Sequence, residues 1–423
     1  MKKLFQRVYQ NDFFRGSFLL TAFGFFAGIL NYINNMLNAR YLGPAGYGEI
    51  AALFSYAAVI AVPISIVTTY ILQRISSVRP EKKISYARSV EIFFWTKIRR
   101  WWFFVLLPFL LIPLIPRMTN LSLFTSAILI SYVLFSFFSS FYLTSVQGLR
   151  LFFFASLIGV AVGFIRLTGP ILVGFGVDGI ATVLVCILLS SVGSFIGYYF
   201  LFRKKVPAGS TKTHPITEKR IFHIVSNPYF FTLALSTLAT IFFTNVDIIF
   251  VKKFFPPVEA GIYSSWIICS RIPYYIIGPL LSVGFIVFSD EKNRAQTKTA
   301  FISSFALIIL GGITNYIVYH WFGKGFILMV FGARFLPAVG YLGQASIFAF
   351  LFSYLFFLNN YFLARRKRIV LVFPMTIPLY IVALFVFGKQ LSAVMSINIV
   401  FAGILGCVYT AGFIRSLRAR AID

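Results

Sequence analysis

Ala39-Arg40-Tyr41-Leu42-Gly43-Pro44-Ala45-Gly46-Tyr47-Gly48 closes one long apolar run and opens the next. A second stretch repeats the arrangement: Asp247-Ile248-Ile249-Phe250, then Phe255-Pro256-Pro257-Val258-Glu259-Ala260-Gly261-Ile262-Tyr263. In each, an apolar helix end meets a Pro/Gly turn, and an aromatic residue opens a new apolar run. The two stretches lie about half the chain apart. A turn repeated at half length points to a duplicated unit.

The apolar runs on either side of these turns recur from end to end. Hydrophobic residues make up 59% of the chain and charged residues 12%. A soluble domain must cover its surface with polar groups and does not have this composition. Runs of about 20 apolar residues are long enough to cross a hydrocarbon layer of about 30 Å. Backbone polar groups at that depth must be satisfied internally, so the runs are read as helices. The first run, Phe13 to Met36, is too long for a signal-peptide core and reads as a retained span. Cys186, Cys269 and Cys407 lie inside apolar runs. They imply no disulfide framework or zinc site and read as small packing residues.

About twelve spans can be placed, near 14–38, 47–72, 100–116, 121–147, 151–175, 179–202, 228–251, 261–288, 299–320, 337–363, 369–388 and 391–414. With the N-terminus inside, 29 of the 38 Lys and Arg residues fall on the inner side. The outer side holds Arg40, Arg117, Lys252, Lys253, Lys324, Arg334 and Lys389. This positive-inside bias predicts a multi-pass protein of the plasma (inner) membrane with both termini in the cytoplasm. It also accounts for the net charge of +27 without nucleic acid. The basic residues are attracted at most to anionic lipid heads. The segment Arg79 to Trp101 interleaves basic and apolar residues and reads as a short interfacial helix. The polar stretch from Leu201 to Asn227 divides the spans evenly. The expected organisation is a six-helix lobe at 1–202, a cytoplasmic linker at 203–227 and a second six-helix lobe at 228–423. An even number of spans per half gives parallel repeats with a central cavity, an all-α architecture of transporters.

Candidate site residues are the polar groups inside spans. Asn31, Asn34, Asn35 and Asn38 fall at i, i+3, i+4 and i+7 on one helix face. Amides facing lipid are costly, so that face meets protein or water. Interhelical hydrogen bonding and cavity lining both account for it. Thr240, Thr244 and Asp247 form a similar stripe in the second half. Arg166, Asp247 and Arg271 are the ionisable residues within spans, and such residues mark pathways by default. Pro273 and Pro279 can loosen the helix beside Arg271. Arg271 reads either as a binding residue or as the buried partner of Asp247; Arg166 reads as a binding residue or as a snorkelling or structural one. His214, His223 and His320 are scattered and make no metal cluster. The chain lacks the G-x-x-x-x-G-K-[ST] pattern of a P-loop ATPase. Nor does it carry the paired acids or outer-face metal site that a membrane glycosyltransferase needs. No catalytic residues and no cofactor are expected.

The two quoted turns carry a family likeness. The segment Ala39–Gly48 resembles the turn after the first span of polysaccharide (O-antigen type) flippases. Asp247-Ile248-Ile249-Phe250 with Glu259-Ala260-Gly261-Ile262-Tyr263 is similar to its second-half counterpart. These proteins are a branch of the multidrug/oligosaccharidyl-lipid/polysaccharide exporter superfamily. The resemblance implies two six-helix lobes around a V-shaped central cavity, alternating between inward- and outward-open states. It implies a flippase, not an enzyme. The substrate would be a polyprenyl-pyrophosphate-linked oligosaccharide, moved to the outer leaflet for cell-surface polysaccharide synthesis. Its partners would be that lipid-linked oligosaccharide, membrane lipids and the glycan polymerases or glycosyltransferases of the same assembly. Arg271 resembles the cavity arginine that related lipid-linked flippases carry in their eighth span. The first span is amide-rich here and lacks the cations of the peptidoglycan-precursor branch. Two other classes compete: a cation-coupled multidrug exporter of the same superfamily, and a membrane polymerase of glycan assembly.

Overall fold

The computed structural model describes residues 12–110, 112–149, 151–177, 179–207, 228–289 and 294–422. Most of the expected linker, 208–227, lies outside the described residues. The chain is all helical where described. Its α-helices are α1 (Asp12–Ile60), α2 (Val62–Ser77), α3 (Lys83–Arg100), α4 (Trp102–Leu110), α5 (Ile115–Thr119), α6 (Leu123–Gly148), α7 (Phe152–Gly174) and α8 (Gly179–Lys205). They continue with α9 (Pro228–Phe254), α10 (Pro257–Ser289), α11 (Arg294–Val330), α12 (Leu342–Ala364), α13 (Val372–Phe387) and α14 (Leu391–Ile422).

Among the described residues, eight helices are long and apolar enough to cross a membrane. A ninth is added if the bent pair Phe26–Ile60 and Val62–Thr68, turned by 54°, makes one span. Many outward side chains are large and apolar, among them Leu110, Phe175, Met329 and Met375. A surface of this kind belongs against lipid.

Three expected boundaries differ. The Gly-Pro pair reads as a turn, yet helix continues on both sides of it within α1. Gly43 alone leaves helical geometry, with φ 68° and ψ −177°, a conformation open to glycine. Pro44 then stands at the first position of the resumed helix, where its missing N–H is no loss. The expected span 47–72 is interrupted at Ala61, just before Pro63 near the start of α2. The expected span 100–116 is also broken. It forms α4, a 3-10 turn at Ile112–Leu114 and α5, because Pro108, Pro113 and Pro116 each remove a backbone donor.

The chain forms two compact units. One holds Met1–Leu42 and Tyr56–Val225; the other holds Gly43–Ser55 and Ser226–Asp423. The second half of α1 thus packs with the C-terminal helices. In the first unit, α6 packs against α2 and α8, and α7 against α8. A core of Ile71, Ile75, Val90, Phe141, Tyr142, Val146 and Phe202 joins α2, α3, α6 and α8. In the second unit, α12 packs against α10, α11 and α14, and α13 against α9 and α14. The hydrophobic window around α12 is 72% buried, against 17% for α11, which makes α12 the centre of that unit. Counted by the expected spans, second with fourth, fourth with sixth and fifth with sixth pack in the first unit. The same three pairings recur among the last six spans.

Candidate polar site at membrane depth

The expected site residues divide between the units. In the first unit, α1 packs Leu30, Ile33 and Leu37 against Val160 and Leu167 of α7. The asparagine stripe lies on another face of the same helix. Asn31 is exposed and Asn35 half-buried, with Asn35 Nδ2 donating to the Asn31 carbonyl at 2.9 Å. Asn34 and Asn38 are buried, at 3% and 0% exposure. Asn34 Oδ1 and both polar atoms of the Asn38 carboxamide have no hydrogen-bond partner. Buried amides are normally satisfied, so these atoms, unbonded among the described residues, stand out.

Arg166, half-buried on α7, has protein partners. Its Nε donates to Ser190 Oγ on α8 at 3.0 Å, and its Nη2 to Tyr132 OH on α6 at 3.4 Å. It thereby ties three helices of the first unit together.

In the second unit, Asp247 on α9 is fully buried within a closed network. Tyr263 OH donates to Asp247 Oδ2 at 2.6 Å, and Asn398 Nδ2 reaches the same oxygen at 3.3 Å. Asn398 Nδ2 also reaches Tyr263 OH at 2.6 Å, and Tyr380 OH donates to Asn398 Oδ1 at 2.6 Å. Asp247 Oδ1 takes the Ile248 N–H at 2.9 Å. Helices α9, α10 and α14 therefore meet on one carboxylate, and α13 joins them through Asn398.

Arg271 lies one helical layer away on α10 and is 8% exposed. Its Nη2 donates to the carbonyl of Thr244 at 2.8 Å, and its guanidinium lies over the Phe352 ring at 5.4 Å. Its Nε is buried without a partner. No carboxylate among the described residues comes within 4 Å of it; the Asp247 oxygens are taken by Tyr263, Asn398 and Ile248. Arg271 acts on Asp247 electrostatically without touching it, while its hydrogen bond goes to the α9 backbone. Arg271 is thus a buried cation with an unused donor among the described residues and an aromatic face beneath it, a geometry suited to an anionic group.

Twenty-four solved chains share this arrangement of helices. An outward-facing multidrug resistance MATE family transporter of the MOP superfamily aligns with TM-score 0.66 and 13% identity, covering 99% of each chain. This chain shares the fold of that solved transporter. The lipid II flippase MurJ, in an inward closed conformation, aligns with TM-score 0.61 and 16% identity over 94% of this chain and 87% of its own. A MOP superfamily transporter from Pyrococcus furiosus Vc1 (DSM3638), described as having a binding pocket of reversed polarity, aligns at 0.65 and 14% over 95% of each chain. No family model and no curated protein matches the sequence.

Sequence reading missed Asn398, which holds Asp247, and Tyr380, which holds Asn398, as well as Tyr132 and Ser190, which hold Arg166. Each is a polar residue in an apolar run, which is the only signal available. Its partner lies 18 to 151 residues away for the Asp247 network.

Proposed function

We propose that this protein is a flippase that moves polyprenyl-pyrophosphate-linked oligosaccharide repeat units from the inner to the outer leaflet by alternating access. It would comprise about twelve spans in two parallel repeats, with both termini in the cytoplasm. Its work would feed cell-surface polysaccharide synthesis beside glycan polymerases or glycosyltransferases. The observation that carries the reading is Arg271, a buried cation that, among the described residues, has one backbone acceptor, no carboxylate in direct contact and an unused Nε–H.

A sugar-pyrophosphate head cannot cross hydrocarbon without a substitute for its hydration. Arg271 supplies a fork that matches phosphate oxygens. In the other unit, Asn34 Oδ1 and the Asn38 carboxamide are buried polar atoms with no partner among the described residues, available to sugar hydroxyls or water. The recurrence of the same helix pairings in the two units supports a duplicated origin. Multidrug export, the rival within the same fold, favours a carboxylate free to meet a cationic drug. Asp247 is engaged by Tyr263, Asn398 and Ile248, which argues for the anionic substrate.

The test is Arg271→Ala against Arg271→Lys, scored for membrane protein level and for export of lipid-linked glycan. Arg271→Ala should keep the protein level, because Asp247 retains its own hydrogen bonds, and should abolish export. Losing one charge-assisted contact to phosphate costs about 1.5–3 kcal/mol, roughly tenfold to over a hundredfold in affinity. Arg271→Lys keeps the charge without the fork and should retain part of the activity. Lost protein that is restored, together with export, by adding Asp247→Asn would assign Arg271 a structural role instead.

A further inference from the structure

A second polar site lies in the first unit, away from the residues above. Helix α3 and the last turns of α8 enclose a cavity of about 440 Å³ bordered by Arg88, Glu91, Trp95, Arg99, Tyr199 and Arg203. Three guanidinium groups line it with one carboxylate, which contacts two of them. Glu91 is 1% exposed and fully used. It pairs with Arg88, lies 3.3 Å from Arg203 Nη2 and accepts from Tyr142 OH at 3.0 Å. Trp95 Nε1 donates to that same hydroxyl at 2.9 Å. Arg203 Nε donates to Tyr199 OH at 3.3 Å, and the Arg203 guanidinium lies over the Tyr199 ring at 5.3 Å. The buried carboxylate therefore holds Arg88 and Arg203 in fixed orientations from behind. Two positive charges remain uncompensated. Arg88 Nε is buried without an acceptor, and Arg99 stands exposed at the rim.

The surroundings of the cavity are apolar and outward-facing. Ile92, on the cavity wall, is 43% exposed, and Ile84 on the same helix is 44% exposed. Trp101 and Trp102 follow directly at 47% and 60%. Exposed tryptophans beside a row of arginines at the end of apolar helices mark the level of lipid headgroups. Oriented guanidinium forks beside an apolar strip suit a phosphate carried on a lipid.

We propose that this cavity is a binding site for the phosphate headgroup of an anionic membrane phospholipid. Arg88, Arg99 and Arg203 grip the phosphate, Glu91 holds the first and last in position, and Ile92 meets the start of an acyl chain. Occupancy bridges α3 to α8 and fixes the connection between the second and third expected spans. The proposal stands apart from the transported substrate.

The full chain, purified into phosphatidylcholine nanodiscs containing or lacking phosphatidylglycerol, tests it by thermal unfolding. Phosphatidylglycerol should raise the midpoint, and the rise should shrink at high salt. Arg99→Gln is safe for folding because the side chain is exposed, and Arg203→Gln probes the oriented fork. Each should weaken the apparent affinity for phosphatidylglycerol about tenfold or more. Arg100→Gln, on the same helix but off the cavity wall, should leave it unchanged. Equal loss with Arg100→Gln would reduce the effect to general surface charge and overturn the site. Inorganic phosphate stabilising the protein as well as phosphatidylglycerol does would overturn the lipid assignment.

Discussion

Asn38 carries a carboxamide that is fully buried and bonded to nothing among the described residues. A buried polar group left unsatisfied costs about 1–3 kcal/mol. A fold tolerates that cost where the group serves something other than stability, and Asn34 just one turn away shares the condition. Asn38→Leu keeps the approximate volume and removes the unsatisfied atoms. The melting midpoint of the purified protein should stay level or rise, while export of lipid-linked glycan falls. A fall in both would mean that the amide holds the fold. The stripe itself was legible as a period, since i, i+3, i+4, i+7 needs only the helix geometry. Which of its members lack partners was not legible, because that depends on neighbours supplied by distant helices. Asp247 makes the same point from the other side. Its charge was legible in the sequence, but the Asn398 amide that holds it comes from a helix 151 residues on. The nearer Arg271 acts on it electrostatically but gives its hydrogen bond to the Thr244 carbonyl.

The element that most constrains the fold is the helix crossing built from the two repeated turns. Within the second unit, the Gly43–Ser55 part of α1 runs against the start of α10. A Cβ added at Gly261 would lie 1.9 Å from the Pro44 carbonyl oxygen, and one at Gly48 would lie 2.8 Å from the Gly261 nitrogen. These neighbours are backbone, so no side chain can rotate away. Small residues at such crossings let helix backbones approach where lipid gives no hydrophobic drive to association. Gly261→Ala should therefore force the helices apart and destabilise by about 1–3 kcal/mol, seen as a lower melting midpoint and lower membrane abundance. Gly343→Ala, where a Cβ meets nothing within 4 Å, should leave both within about 0.5 kcal/mol of the parent. An unchanged midpoint for Gly261→Ala would contradict the crossing. The sequence displays both turns, and their likeness is evident by inspection. That they pack on one another is a tertiary fact, invisible until the chain between them is folded. The same holds for α1, where glycine at a single kink preserved helix on both sides of a Gly-Pro pair that otherwise reads as a turn.

At the scale of the molecule, helix length and apolar composition were enough to anticipate an all-helical, multi-pass architecture. They work because hydrocarbon leaves the backbone few other choices. Proline-broken segments such as α4 and α5 blur the count, since a span interrupted three times no longer meets any length criterion. The fold is shared with exporters of drugs and with a lipid flippase, so the substrate must be argued from the site. The Arg271 guanidinium, with its unused Nε–H and the Phe352 ring beneath it, favours an anionic head. The measurement that tests this most directly is the sidedness of lipid-linked repeat units in cells depleted of the protein, read by an impermeant glycan probe on intact and on opened cells. Loss of a flippase leaves complete repeat units facing the cytoplasm, reached by the probe only after opening. Complete repeat units accumulating on the outer face of intact cells would contradict the account and point to a polymerase.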